Sequence, residues 1–358
     1  MFIRIVGGFL VLLALLWAVA YFSAGAALRD AQREPWPYGL GTLEALKERQ
    51  PPRAASKEAT EVERLVDALN LEDVNVDDYV DAQTAKRDDT IDAPPAGLDA
   101  REAPLVEIVR TTVSAGDRLV WGPDGAPYEL DDAAELLAAD ALAHARNGDG
   151  AGGWERVHAI WLLTRSTKWD ASVYGAKSVL RMERAANAVA RKLPAPAPAW
   201  AAELAAVEPR RDTAAGIQQQ TLSRIQTMPP LPGPFIIFRP ISNFIEASNA
   251  RRSRADAESL AAAQRCHMQT DLVADPADAY RASRMEAELE ATAKMLVLKS
   301  EHARLGKWPA GLDPSSRCAE SRWIYEAKPD GSSMTLRLSW DLAPEPGVKN
   351  APALQFAY

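Results

Sequence analysis

Ile5-Val-Gly-Gly-Phe-Leu-Val-Leu-Leu-Ala-Leu-Leu-Trp-Ala-Val-Ala-Tyr-Phe-Ser-Ala-Gly-Ala-Ala-Leu28 is 24 residues without a charge, bounded by Arg4 and Arg29. About 20 apolar residues in a helix cross a hydrocarbon core of about 30 Å, so this run spans a bilayer with some tilt. A cleaved secretory signal has a shorter apolar region, of about 7–15 residues, before a small-x-small site. Ala24-Gly25-Ala26 has that spacing, but the run before it is too long, and an uncleaved anchor is expected. Trp17, Tyr21 and Phe22 read as an aromatic belt where the span meets water. Arg4 with the terminal amine balances Arg29 with Arg33, so flanking charge sets no direction. The short lead before the span is typical of signal-anchors that carry the rest across, which places residues 29–358 outside the cytoplasm.

The remaining chain has the composition of a folded protein. Of 358 residues 47% are apolar, enough to bury a core. Forty-one Lys and Arg against 49 Asp and Glu give a net charge of −8, which argues against a nucleic-acid partner. Two cysteines exclude a disulfide-dense miniature scaffold and a four-thiolate zinc site.

Five segments follow from the pattern: an anchor (1–28), a tether (29–55), an acidic mixed segment (56–128), a helical bundle (129–275), and a long helix with an antiparallel β unit (276–358). Pro35, Pro37, Pro51 and Pro52 break the tether around one short helical stretch, Thr42 to Arg49. Ser56 to Asn70 reads as a helix with Thr60 and Glu63 spaced as a capping box. Between Glu61 and Glu102 thirteen Asp and Glu face four Lys and Arg, which reads as a solvated acidic loop. Asp73, Asn75 and Asp77 begin like a calcium loop, but Asp78 and Thr84 stand where glycine and glutamate are required. Pro104 to Trp121 reads either way: Val106, Ile108 and Val109 are β-branched, and Arg118-Leu-Val-Trp121 before Gly122-Pro-Asp-Gly125 looks like a strand entering a turn.

Alanine-rich helical pattern then runs for most of the next 180 residues. Helices are expected from Asp132 (boxed with Glu135) to Asn147, Trp154 to Thr167, Ala171 to Leu193, Ala199 to Val207, Asp212 to Met228, Ile241 to His267, and Pro276 to Leu305. From Trp323 the period becomes two. Trp323–Ala327 and Thr335–Trp340 flank Pro329-Asp330-Gly331-Ser332 as a hairpin, with Leu354–Tyr358 as a third strand. The fold class is mostly α, with a transmembrane helix, a helical-bundle ectodomain and a small antiparallel β unit.

A long helix ending Leu298-Lys-Ser-Glu-His-Ala-Arg-Leu-Gly306-Lys-Trp308-Pro309-Ala-Gly-Leu312 before that β unit resembles the C-terminal half of type II secretion pseudopilins. There a helix closes in a Gly-x-aromatic-Pro turn ahead of a small sheet. The likeness covers under a quarter of the chain. Gly8-Phe9 fits the processing site of that family, but Leu13 stands where its glutamate belongs, so neither pilus assembly nor prepilin processing is expected. Anchor, tether, helical middle and this C-terminal unit together are similar to uncharacterised single-pass bacterial envelope proteins. That likeness informs architecture only. An inner-membrane location with a periplasmic domain is expected from the span and its short lead, and a protein partner in the envelope from the expected interaction role.

Motifs of chemistry are sparse. His144, His158, His267 and His302 form no zinc motif, and no phosphate loop, nucleophile elbow or dinucleotide turn occurs. No cofactor or metal is expected. Trp154, His158, Trp161 and Arg165 share one helical face, a groove for a sugar or peptide on one reading and part of a core helix on the other. With Val157, Ile160, Leu162 and Leu163 alongside, the core reading is expected. Phe235, Ile236, Ile237 and Phe238, followed by Ile241, Phe244 and Ile245, either meet membrane or a partner, or plug the core; with Arg239 their only cation, the core is expected. Cys266 and Cys318 are an even pair in an exported chain, which predicts a disulfide if the two long helices beside them pack antiparallel. The expected function is a non-enzymatic, membrane-anchored interaction or structural protein. The alternative is a periplasmic hydrolase of cell-wall material.

Overall fold

The computed structural model describes residues 2–49, 54–69, 76–86, 88–122, 125–127, 129–168, 175–227, 238–264, 266, 276–318, 320–339 and 354–358. The chain divides into two compact units, Met1–Pro51 with Ala214–Ala262, and Pro52–Thr213 with Ala263–Tyr358.

The first unit begins with α1 (Phe2–Arg33), which continues five residues past the apolar run. A 3-10 turn at Pro37–Gly39 and α2 (Leu43–Arg49) follow. Residues 29–49 are packed, where the sequence suggested a tether. Prolines 35 and 37 do end α1, but positive φ at Gly39 and Gly41 reverses the chain, and Trp36 N–H donates to Gly41 O at 2.8 Å. That reversal buries Trp36 and brings α2 back beside α1, where Arg33 pairs with Glu44 at 3.1 Å. Most of α9 (Pro209–Thr227) and all of α10 (Arg239–Ala262) complete the unit. Its core is thin, with Ala31, Ala214, Ala247, Ala250 and Ala257 around Trp36, Leu43, Leu46 and Leu222.

The second unit holds α3 (Lys57–Asp67), α4 (Asp77–Ala85), α5 (Glu102–Ala115), α6 (Leu130–Arg146), α7 (Gly150–Thr167) and α8 (Gly175–Lys192). A 3-10 segment (Ala199–Ala206), α11 (Pro276–Leu305), and strands β1 (Trp323–Ala327), β2 (Met334–Leu338) and β3 (Gln355–Ala357) complete its named elements, beside the start of α9. One apolar core runs from Ala59 to Leu204, so the acidic segment and the bundle fold together. Close approach follows from small residues. A Cβ on Gly153 would lie 3.1 Å from Ala141 O and 2.9 Å from Leu193 Cδ2, so a larger residue would force these neighbours to shift.

Three local readings are settled or change. Residues 102–115 are helical, because Pro104 falls in the first turn, where its missing N–H is not needed, and Leu105, Ile108 and Val109 bury one face. The cap of α3 is Ser56, whose side chain accepts from Ala59 N–H at 3.1 Å, in place of Thr60. Asp132 lies inside the first turn of α6, and Glu135 is drawn inward to Arg181 at 2.5 Å instead of closing a capping box.

The C-terminal sheet has the order β1-β2-β3, all antiparallel, with Trp323 opposite Leu338 and Leu336 opposite both Tyr325 and Phe356. Trp323, Met334, Leu336, Leu338 and Phe356 bury one face of it in a cluster with Ala287, Ala291, Met295 and Leu298 of α11. Cys266 and Cys318 are disulfide-bonded with Cα atoms 5.2 Å apart. Their meeting is arranged by α11. Glu286 accepts the Cys266 N–H at 2.9 Å, and Glu290, one turn on, accepts the Arg317 N–H at 3.0 Å. Carboxylates four residues apart on a helix are neighbours, so the two cysteine segments arrive side by side.

Candidate functional site

Two clusters concentrate chemistry-bearing side chains. The first is on α7. Asp149 starts this helix, accepting from Gly152 N–H at 2.9 Å and lying 2.7 Å from His144 Nδ1. Trp154, His158, Trp161 and Arg165 then fall on one face, and the 3-10 segment Ala199–Ala206 lies across it. The Trp200 ring stacks on His158 at 4.4 Å and meets Trp154 edge-on at 5.9 Å. Trp154 Nε1–H donates to Pro194 O at 3.0 Å, and Trp161 Nε1–H donates to Glu203 at 3.3 Å. Arg165 pairs with the same Glu203 at 3.3 Å and with Asp117 at 3.0 Å.

Both indoles are therefore buried with their donors satisfied, and Trp200 occupies the place a sugar ring or peptide would take. Burial holds the His158 imidazole below its ordinary range, with Glu203 opposing and Arg165 adding to that push. This face is a helix-to-turn contact. Sequence reasoning grouped its four residues correctly but missed Trp200 and Glu203, whose only signal was an aromatic residue just past the Pro194–Pro198 break.

The second cluster went unrecognised in the sequence. α8 carries Arg181, Glu183, Arg191 and Lys192 into the interior or its margin. Arg181 gathers Asp77 at 2.5 Å, Asp131 at 3.1 Å, Asp132 at 3.3 Å and Glu135. Burial, then Asp77 alongside, push the Glu135 carboxyl up to about 9. Glu183 is fully buried with Lys168 at 3.0 Å, which itself reaches Asp212 at 2.8 Å; burial raises Glu183 to about 7 against the pull of Lys168.

Further along, Arg191 donates to Thr292 Oγ1 at 2.8 Å, while Arg284 holds Glu288 at 2.8 Å. Lys192 donates to the Asp88 carbonyl, and burial brings its ammonium down to about 8. Lys299 pairs with Asp89 at 2.7 Å. The acidic stretch thus supplies counter-ions for α8 and α11, which a solvated-loop reading did not anticipate.

Perturbed carboxylates and lysines are also what proton transfer requires, but structural ion networks perturb them equally. Most of these groups pair with a residue from another part of the chain, on a neighbouring helix or in the 88–89 segment, which is the arrangement of a structural network. Among the described residues, no group of three His, Cys, Asp or Glu is placed to hold a metal ion.

Phe235, Ile236 and Ile237 lie outside the described residues. Phe238, Ile241, Phe244 and Ile245 are exposed, which overturns the core reading for this part of the run. α10 turns Pro240, Asn243, Ala247 and Ala250 inward, and these four, on the 3.6-residue period, leave the larger apolar residues outside. Comparison with models of known protein families, with curated proteins and with solved structures returned no match to this chain.

Proposed function

We propose that this chain is a non-enzymatic protein anchored in the inner membrane of a bacterial envelope by α1, presenting its helical ectodomain to a protein partner on the periplasmic side. One observation carries the anchoring: Val11, Leu12, Leu13, Leu15, Leu16 and Val19 are all exposed along α1, and Phe22 is 71% exposed. A water-soluble fold does not leave such a continuous apolar face uncovered, whereas hydrocarbon covers it without cost. The remainder of α1 argues for retention. Ala24 and Ala31 are buried within the first unit, so cleavage at Ala24-Gly25-Ala26 would strip a packed element from the fold.

The Cys266–Cys318 bond supports the periplasmic side, where thiols are oxidised. A paired interior ion network and a covered aromatic face support an interaction role over a hydrolytic one. Carbonate-washed membranes are the test: the full chain stays in the pellet, and its cysteines resist alkylation until reduced. Recovery of a soluble form beginning at Ala27 would overturn the anchor, free thiols in freshly alkylated cells would overturn the orientation, and release of soluble fragments from purified cell wall would overturn the non-enzymatic assignment.

A further inference from the structure

The exposed apolar face at the start of α10 lies in the same unit as α1, and the two helices pack along each other. Glu34, just past the end of α1, sets their register: its carboxylate takes Arg251 at 3.3 Å and Arg254 at 3.2 Å, and Arg254 also donates to Pro35 O at 3.2 Å. Both helices rise about 1.5 Å per residue. Running the same way from that clamp, Ala31, Leu28, Ala24 and Tyr21 come level with Ala250, Ala247, Asn243 and Pro240. All eight are covered positions: Ala24, Ala31, Pro240, Asn243, Ala247 and Ala250 are buried and Tyr21 and Leu28 half-buried, while the buried Ala257 and Leu260 lie past the end of α1 in this register. The opposite direction would carry Asn243 and Pro240 beyond Arg33, where α1 has ended.

In that register the surfaces match as well. α1 is uncharged from Ile5 to Leu28 and then turns to Arg29, Asp30 and Arg33. The outward face of α10 is apolar through Ile245 and then turns to Arg251, Arg252 and Glu258. Both changes fall at the same height. Below it Phe22 stands level with Ile241, and Trp17 and Tyr21 stack at 5.2 Å near the height where α10 begins with Phe238 and Arg239. Indole and phenol rings prefer the headgroup layer, which an apolar helix face with a basic flank also occupies.

We propose that the first two turns of α10 sit in the interfacial layer of the bilayer beside α1, with Ile241, Phe244 and Ile245 (59%, 63% and 47% exposed) turned to lipid. The occupant of this face is lipid, because the face continues the band that α1 exposes and ends where that band ends. The inference rests on α1 spanning the membrane and adds a second point of attachment, which fixes how the first unit meets the bilayer.

The full chain, with its native disulfide leaving no free thiol, takes single cysteines at exposed positions: Val19→Cys, Ile241→Cys, Phe244→Cys and Arg252→Cys. Each is nitroxide-labelled and reconstituted into vesicles of phosphatidylethanolamine and phosphatidylglycerol, and collision with oxygen is compared with collision with a water-soluble nickel chelate. The expected result is nickel access several-fold lower at Ile241, Phe244 and Val19 than at Arg252, with oxygen access reversed. Aqueous readings at Ile241 and Phe244 with Val19 in lipid would overturn this inference and leave the anchor standing; they would point to a protein partner for the face. An aqueous reading at Val19 would overturn the anchor itself, and this inference with it.

Discussion

α7 and the first two-thirds of α1 are both apolar over most of their circumference, and they end in opposite surroundings. On α7, Val157, Ile160 and Leu163 are fully buried, and even Arg156 is inside, paired with Asp140 at 2.8 Å. On α1, seven large apolar side chains between Val11 and Phe22 face outward. α7 has neighbours around most of its circumference because glycines 152 and 153 and the alanines of α6 let other helices come close. α1 has one covered stripe, on which Ala24 and Ala31 lie, and so meets protein on one side only. An apolar helix does not specify what buries it; the small residues around it do.

The sharpest way to break that contrast is to make the same deletion in both helices. Leu163→Ala is expected to cost about 2–5 kcal/mol, the range for emptying a fully buried leucine site. Leu15→Ala, at an exposed position, is expected to leave the unfolding midpoint unchanged. Denaturant titration of the full chain in mild detergent, followed by circular dichroism, reads both. A comparable loss from Leu15→Ala would mean that protein covers α1.

The second unit also differs from the first in being stapled. Replacing Cys266 and Cys318 together by serine reopens a loop of 52 residues and is expected to cost up to about 4 kcal/mol by the chain-entropy relation. A loss well below about 1 kcal/mol would show that Glu286 and Glu290 hold the two segments to α11 unaided.

A smaller effect belongs to the hairpin. Gly331 has φ +70°, its carbonyl accepts the Trp308 N–H at 3.0 Å, and a Cβ there would come within 2.7 Å of Lys307 Cβ. Gly331→Val is therefore expected to cost about 1–3 kcal/mol, the scale of a strained backbone position. An unaltered melting temperature would mean that the turn is not held against the end of α11.

The least dramatic prediction concerns pH. The Glu183 carboxyl is raised from 4.5 to about 7 in the folded chain. Between those values the unfolded group is ionised while the folded group keeps its proton, so stability from this residue is complete below about 4.5 and lost as pH rises through about 7. Glu183→Gln removes that slope. The melting temperature of the variant should gain on that of the unaltered chain from pH 5 to 7 and hold level above, whereas parallel profiles would show that Glu183 is ionised throughout.

Much of the architecture was legible before any coordinates, for local reasons. The uncharged run bounded by Arg4 and Arg29, the break at Pro194–Pro198, the start of α11 at Pro276 and the period-two strands around Asp330-Gly331 are each written in a few neighbouring residues. Backbone preference and side-chain period act over that distance. Readings that failed involved choices between near-equal local options. Residues 102–115, rich in β-branched side chains and open to either reading, became a helix because burial of Leu105 and Ile108 outweighs β-propensity. Thr60 lost the cap of α3 to Ser56, four residues earlier.

What only the tertiary structure decided is which faces and which charges are used. The spacing of Trp154, His158, Trp161 and Arg165 revealed a face, but Trp200, about forty residues away, filled it. Composition showed that residues 61–102 are acidic, but not that Asp77 and Asp89 would neutralise Arg181 and Lys299, partners 104 and 210 residues distant in the chain. The tether reading failed over residues 29–49 for the same reason, since Trp36 and Leu43 find their cover on segments beyond residue 213. Sequence by itself determined where most helices and strands lie, because those are contests among neighbours. Burial and ion pairing are contests among residues that only the folded chain brings together.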